Sequence, residues 1–170
     1  MVQLAGTVPQ LTALGVATVV VVNSPLERAR FYFSRRPLSL VLAADPERVS
    51  HRAFGNPNLM ALHGLTREQR DALISGPNAV RVDPTGELGR PLPFIEARYE
   101  LNRRDGYVLT PDEENVRAIG GVQMLFLIDR DGVIRWRWVE TAERPRDIGL
   151  LLPMTELLAG VEVAVATAVR

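Results

Sequence analysis

Two amino acids are missing from the 170-residue chain: it has no cysteine, and every one of its 20 basic residues is an arginine. Without cysteine there is no thiolate to act as nucleophile or metal ligand, and no disulfide. Without lysine there is neither a Schiff-base amine nor the phosphate-holding lysine of a Walker-type loop. Net charge is missing as well, since 20 acidic residues balance 20 basic ones, and no positive field exists to hold a nucleic acid duplex or an anionic membrane surface. No apolar run approaches the roughly 18 residues that a membrane span requires. Met1 is not followed by a basic region, an apolar core and a small-residue cleavage site. These absences predict a cytoplasmic protein with neither nucleic acid nor membrane as a partner. The cysteine count carries no information on redox compartment, because zero suits either side of a membrane.

What is present is ordinary for a folded chain. Hydrophobic residues make up 46% and charged residues 24%, a balance that excludes disorder and fibrous repeats. A chain of about this length buries roughly 70% of its unfolded surface, so a single domain over residues 1–170 is expected.

Apolar residues at Leu4, Val8, Leu11 and Leu14 fall at the steps of one helical face, with Gly15 as the stop and Pro9 a kink within it. Val16 to Asn23 is almost wholly apolar and reads as a strand buried on both faces. Ser24, Pro25 and Glu27 then read as a capping box that opens a helix carrying Leu26, Ala29 and Phe33 on one side. Leu38 to Ala43 reads as a second strand, and Asp45-Pro46 opens a short helix through Val49, Ala53 and Phe54 that ends at Gly55. Two strands joined by so long a crossover run parallel, which makes the chain α/β.

Residues 57–120 read as an insertion with one helix from Thr66 to Ile74, short strands near Val80 and Val108, and many Gly and Pro breaks. Glu113 and Glu114, after Pro111 and Asp112, start a short helix. Val122 to Ile128, the turn Asp129-Arg130-Asp131-Gly132 and Val133 to Val139 form a β-hairpin, with Ile134, Trp136 and Trp138 on a buried face against Arg135 and Arg137. The tail from Pro153 to Val169 fits a helix through Leu157, Leu158, Val161 and Val165, although its alternating valines also permit a strand.

The segments "PQLTALGV", "VVVVNSPLERAR", "LAADPERVSHRAFG" and "FLIDRDGVIRW" resemble the peroxiredoxins, in the alkyl hydroperoxide reductase / thiol-specific antioxidant (redoxin) family. The resemblance covers about half of the chain. It implies a thioredoxin-like three-layer α/β/α fold with one mixed sheet, N-terminally truncated, with the insertion before the final hairpin. It also implies an antioxidant, thiol-dependent peroxidase or oxidoreductase, with a thiol reductant protein as partner of any longer form. In that family a cysteine at the start of the first helix attacks peroxide. Here the resemblance puts that cysteine, its neighbouring hydroxyl residue and the preceding strand upstream of Met1, so the chain as given is expected to be inactive and no catalytic residue is assigned. The family's arginine before the "FLID" strand has no match either: the stretch reads Gly120-Gly121-Val122-Gln123, and Arg117 is off register.

The missing strand would lie between Val16–Asn23 and Val122–Ile128. Its absence predicts that these two strands pair directly, or that the gap is filled by part of the insertion, by the C-terminal valines or by a second copy. Direct pairing and a homodimer are the favoured solutions. The kinship therefore requires that Val19 to Val22 and Leu125 to Ile128 share a sheet and that the opening residues coil.

Other chemistry is weakly signalled. His51 and His63 lack the short spacing of a zinc site, so no metal is expected, and the glycine-free turn Asn23-Ser24-Pro25 argues against a nucleotide cofactor. Asp129 and Asp131 suit turn chemistry rather than an acid pair. Trp136 and Trp138 are most simply core, and no serine sits in a nucleophile elbow. The alternative to a redoxin enzyme is a non-catalytic thioredoxin-fold module for binding or dimerisation.

Overall fold

A computed structural model describes residues 2–83, 85–114 and 122–168. The chain is mixed α/β and forms two compact units. The first comprises Met1–Arg52, Met124–Trp138 and Leu152–Arg170, the second Ala53–Gln123 and Val139–Leu151.

In the first unit, helix α1 (Val2–Ala13) buries Leu4, Thr7 and Leu11 along one face and ends at Gly15 as the sequence predicts, with Pro9 inside it. Strand β1 (Val19–Val22) leads into α2 (Leu26–Arg35), and β2 (Val41–Ala44) lies parallel to β1 with Val19 beside Val41 and Val22 beside Ala44. Helix α3 (Val49–Ala53) follows. The hairpin consists of β5 (Met124–Ile128) and β6 (Ile134–Val139), β6 running just past the unit's boundary. Its turn is closed by the Asp129 N–H on the Val133 carbonyl, and Gly132 takes the left-handed φ of 80° that this turn demands. The C-terminal valines settle as helix: α7 (Met154–Ala168) buries Leu157, Val161 and Ala164 and packs against α1.

In the second unit, α4 (Leu59–His63), α5 (Arg67–Ser75) and α6 (Phe94–Asp105) accompany a two-residue antiparallel pair, β3 (Arg81–Val82) and β4 (Leu92–Pro93). Thr66 and Gln69 form a reciprocal capping box at the predicted start of α5. Residues 111–114 are helical, and Thr110 and Glu113 cap them in the same reciprocal way. The core is Leu59, Val122 and Ile148, with Leu73, Ile74 and Phe94 packed on it.

Several expectations are corrected. Among the described residues the strands form three separate two-stranded sheets, not one mixed sheet, and β1 and β5 lie in different ones. Of the two demands of the kinship, the coiled opening is met and the shared sheet is not; direct pairing does not occur. Nor is β1 buried on both faces: Val19 and Val21 are 55% and 44% exposed and Val41, beside Val19, is 64% exposed, so one face of this parallel pair lacks the covering layer that such strands normally have. Ser24 does not cap α2, whose N-cap is Pro25 with no side-chain hydrogen bond, and Leu26 is exposed. Val108 is in no strand and is 79% exposed; the partner of β3 comes instead from Leu92–Pro93. Ile134 is exposed, while Trp136 and Trp138 are half-buried. Arg117, Gly120, Gly121 and Val169 lie outside the described residues.

Gly160 on α7 sits against the indole of Trp136, where an added Cβ would lie 2.8 Å from Nε1 and 3.0 Å from Cε2. Alanine at a helical glycine gains up to about 1 kcal/mol in propensity. An overpacked methyl costs about 1–3 kcal/mol. Gly160→Ala is therefore expected to lower stability by about 1 kcal/mol in thermal unfolding followed by circular dichroism, and Gly160→Val by more. A rise in melting temperature for Gly160→Ala would show that the contact is not tight.

Candidate functional site

The residues with the most chemical potential in the first unit gather beyond the carboxyl ends of β1 and β2, the place where open α/β sheets hold ligands. The Val22 carbonyl ends β1 by accepting the N–H groups of Ser24 (2.9 Å) and Asp45 (2.8 Å), which brings the segments after both strands together. Asp45 then accepts the N–H groups of Val49 (2.9 Å) and Ser50 (2.8 Å) and the Ser50 hydroxyl, so it caps α3 as the sequence predicts. The Ser50 hydroxyl, followed by those backbone N–H groups, holds the Asp45 carboxyl below its usual range. Arg48 precedes the helix in the left-handed region at φ 57°, where non-glycine residues are strained.

His51 lies 3.1 Å from the Asn23 side-chain nitrogen through Nε2. An amide NH₂ only donates, so Nε2 is the acceptor and the imidazole is neutral with its proton on Nδ1. Burial, reinforced by the Arg48 charge and opposed by Asp45, pushes the His51 pKa down and favours that neutral form. Asp45, Ser50 and His51 are thus neighbours without forming a relay. The serine proton goes to the carboxylate, and the ring nitrogen that would accept it is taken by Asn23. Three side-chain atoms here are buried without a protein partner: Asn23 Oδ1, Ser24 Oγ and Arg48 Nε. The cluster can bind through these atoms, but it has no activated nucleophile.

The second unit has one buried carboxylate, Glu140, 2% exposed. Its Oε2 accepts the Gln123 N–H at 2.8 Å and its Oε1 the Gly149 N–H at 2.5 Å. Burial raises its pKa, against these two bonds and the Arg98 charge. The adjacent Thr141 is buried at φ 62°, and its carbonyl is 2.5 Å from His63 Nε2. Such a cluster ties the loop after β6 to α4; nothing in the sequence pattern marks Glu140, because a single glutamate after a strand has no spacing to read.

The two histidines belong to different units. Among the described residues no group of three or more His, Cys, Asp or Glu could hold a metal. Asp129 serves its turn, accepting the N–H groups of Asp131 and Val133 (both 2.9 Å) and pairing with Arg135 at 2.6 Å, as expected. An open groove of about 600 Å³ between β6 and α7 is lined by Ile134, Trp136, Gly160 and Val163. Another of about 510 Å³ along α6 is ringed by Arg90, Arg103 and Arg104, but Glu100 takes both Arg103 and Arg104 at 2.8 Å and is itself held down to about 2 by them. No protein-family model, curated protein or solved structure matches the chain.

Glu140 predicts a pH dependence with a definite sign. A carboxyl whose folded pKa is raised binds its proton more tightly when folded, so stability is fullest below the unfolded value and falls as pH rises through the window up to the folded value. His51 has the opposite effect, since its lowered pKa makes stability fall as pH drops below about 6.5. Glu140→Gln should therefore flatten the loss of stability on going from about pH 4.5 upward, and His51→Gln should flatten the loss below about 6.5, both read from denaturant midpoints across pH. An unchanged profile in either variant would contradict the corresponding assignment.

Proposed function

We propose that this protein is a non-catalytic α/β module that binds through an exposed strand edge, with redoxin kinship as its second reading. The observation that carries the proposal is the division of the first unit into two separate two-stranded sheets, which leaves β1 with one neighbour among the described strands and an outer edge bordered by uncharged valines. Such an edge takes up an extended strand through main-chain hydrogen bonds. The absence of cysteine and of an activated serine supports a binding role over a covalent one.

The redoxin reading keeps one support, the order of elements in that unit (helix α1, a parallel β1-α2-β2 pair, a hairpin and a closing helix, as the four resembling segments imply), and stands second because the shared sheet it requires is absent among the described strands. On that reading the chain is a thioredoxin-like domain that lacks its central strand. Antioxidant activity, and a thiol reductant as partner, would then belong to a form carrying the cysteine.

Peroxide consumption with a dithiol reductant is expected to stay at the buffer rate, and thiol-dependent turnover would overturn the non-catalytic reading. For binding, an extended Thr/Val peptide added to dilute protein is expected to shift the Val19 and Val21 amide resonances. Titration to millimolar peptide without such a shift would remove the strand edge as a binding surface.

A further inference from the structure

We propose that the strand taken up by β1 is the β1 of a second copy, paired antiparallel about a two-fold axis to give one sheet of order β2-β1-β1-β2. The inference rests on the strand-edge reading and names its partner.

The parity of the ladder supplies the argument. Val22 lies beside Ala44, and its carbonyl accepts the N–H of Asp45, the next residue along β2. The N–H and C=O of one strand residue point to the same edge, and successive residues point to opposite edges. Val20 and Val22 therefore face β2, and the main-chain groups of Val19 and Val21 face the open edge. With Val20 opposite Val20 of the second copy, Val19 of each chain lies opposite Val21 of the other. Both outward N–H groups and both outward carbonyls are then satisfied in each copy, with none left over. A strand that is valine at every position is self-complementary in this register, as a two-fold interface requires.

Charge permits the same pairing. From Val16 to Asn23 there is no charged residue, and the chain as a whole carries a net charge of +0, so two copies meet without repulsion. Besides being short or covered, sheet edges that must stay unpaired carry lysine, proline, inward-pointing charge or a bulge. β1 carries none of these. Among the other described strands, β3 and β4 have only two residues each, and β6 carries the charges of Arg135 and Arg137; β5 is uncharged but is not identical along its length, so it lacks the self-complementarity of four valines.

The absence of native cysteine makes the register directly testable. Val20→Cys puts one thiol on the axis, in a pair with Cα atoms about 4.5 Å apart. That separation is within the range of about 4.4–6.8 Å that a disulfide spans. Mild oxidation of Val20→Cys should give a covalent dimer. Val41→Cys, on the more exposed β2 position, should stay largely monomeric.

Light scattering of the unmodified chain should give twice its 18.8 kDa. Val21→Pro deletes an outward N–H and leaves the β1–β2 bonds intact, so association should weaken by about tenfold or more. If that variant does not fold, Val19→Arg places like charges across the interface on an already exposed side chain and should have the same effect. A monomer at all accessible concentrations overturns the proposal, as does a dimer unaffected by these substitutions or Val20→Cys linking no faster than Val41→Cys. A monomer whose Val19 and Val21 amides still respond to the Thr/Val peptide leaves the strand-edge reading standing and removes only the self-pairing.

Discussion

The parallel ladder between β1 and β2 is the constraint on which the rest depends. Backbone N–H and C=O groups need partners, and a strand in a sheet normally finds them on both sides. Here β2 satisfies one side of β1, α2 provides the crossover, and α1 and α7 pack together within the same unit. Nothing among the described strands satisfies the other side. A two-stranded sheet is marginal alone and parallel sheets are ordinarily covered on both faces, so the exposed Val19, Val21 and Val41 mark an unfinished surface. The hairpin of β5 and β6 shows the opposite economy, since a tight turn closed by Asp129 and Gly132 needs no third strand to set its register.

Polar chemistry in both units is committed to structure. Asp45 is occupied by α3 and Ser50, His51 is held neutral against Asn23, Asp129 holds its turn and Glu140 takes two backbone N–H groups. Their shifted protonation has local causes: hydrogen bonds for Asp45 and Asp129, burial for His51 and Glu140. Arginine makes the side-chain ion pairs of the described residues. Its planar fork suits the paired contacts of Arg103 and Arg104 with Glu100, and that pairing draws charge out of the groove along α6.

Local signals in the sequence were legible where a short-range rule governs them. The α1 face, the Thr66 capping box, the Asp45 cap and the Asp-Gly turn all depend on residues within one or two turns of each other. The α/β class and the parallel pair followed from the strand-helix-strand pattern. The extent of the sheets did not, because the partner of a strand edge is decided by long-range pairing that leaves no periodicity. Ser24 misled for a related reason: its spacing to Glu27 suits a capping box, yet Pro25 takes the N-cap and the hydroxyl is buried without a partner. Helix α6 was hidden among Pro and Gly breaks, although Pro93 before it and Ala97 and Leu101 on its buried face were its signals. Of the candidate cluster only Asp45 was readable as structural. Asn23 and His51 meet through a tertiary contact between segments 28 residues apart.

Residue-resolved hydrogen exchange along β1 over a range of protein concentrations tests the account most directly. The Val20 and Val22 amides should be protected at every concentration, while those of Val19 and Val21 should exchange near the free rate in dilute solution and gain protection as concentration rises. Equal protection of all of them in dilute solution, or no response of Val19 and Val21 to concentration, would contradict it.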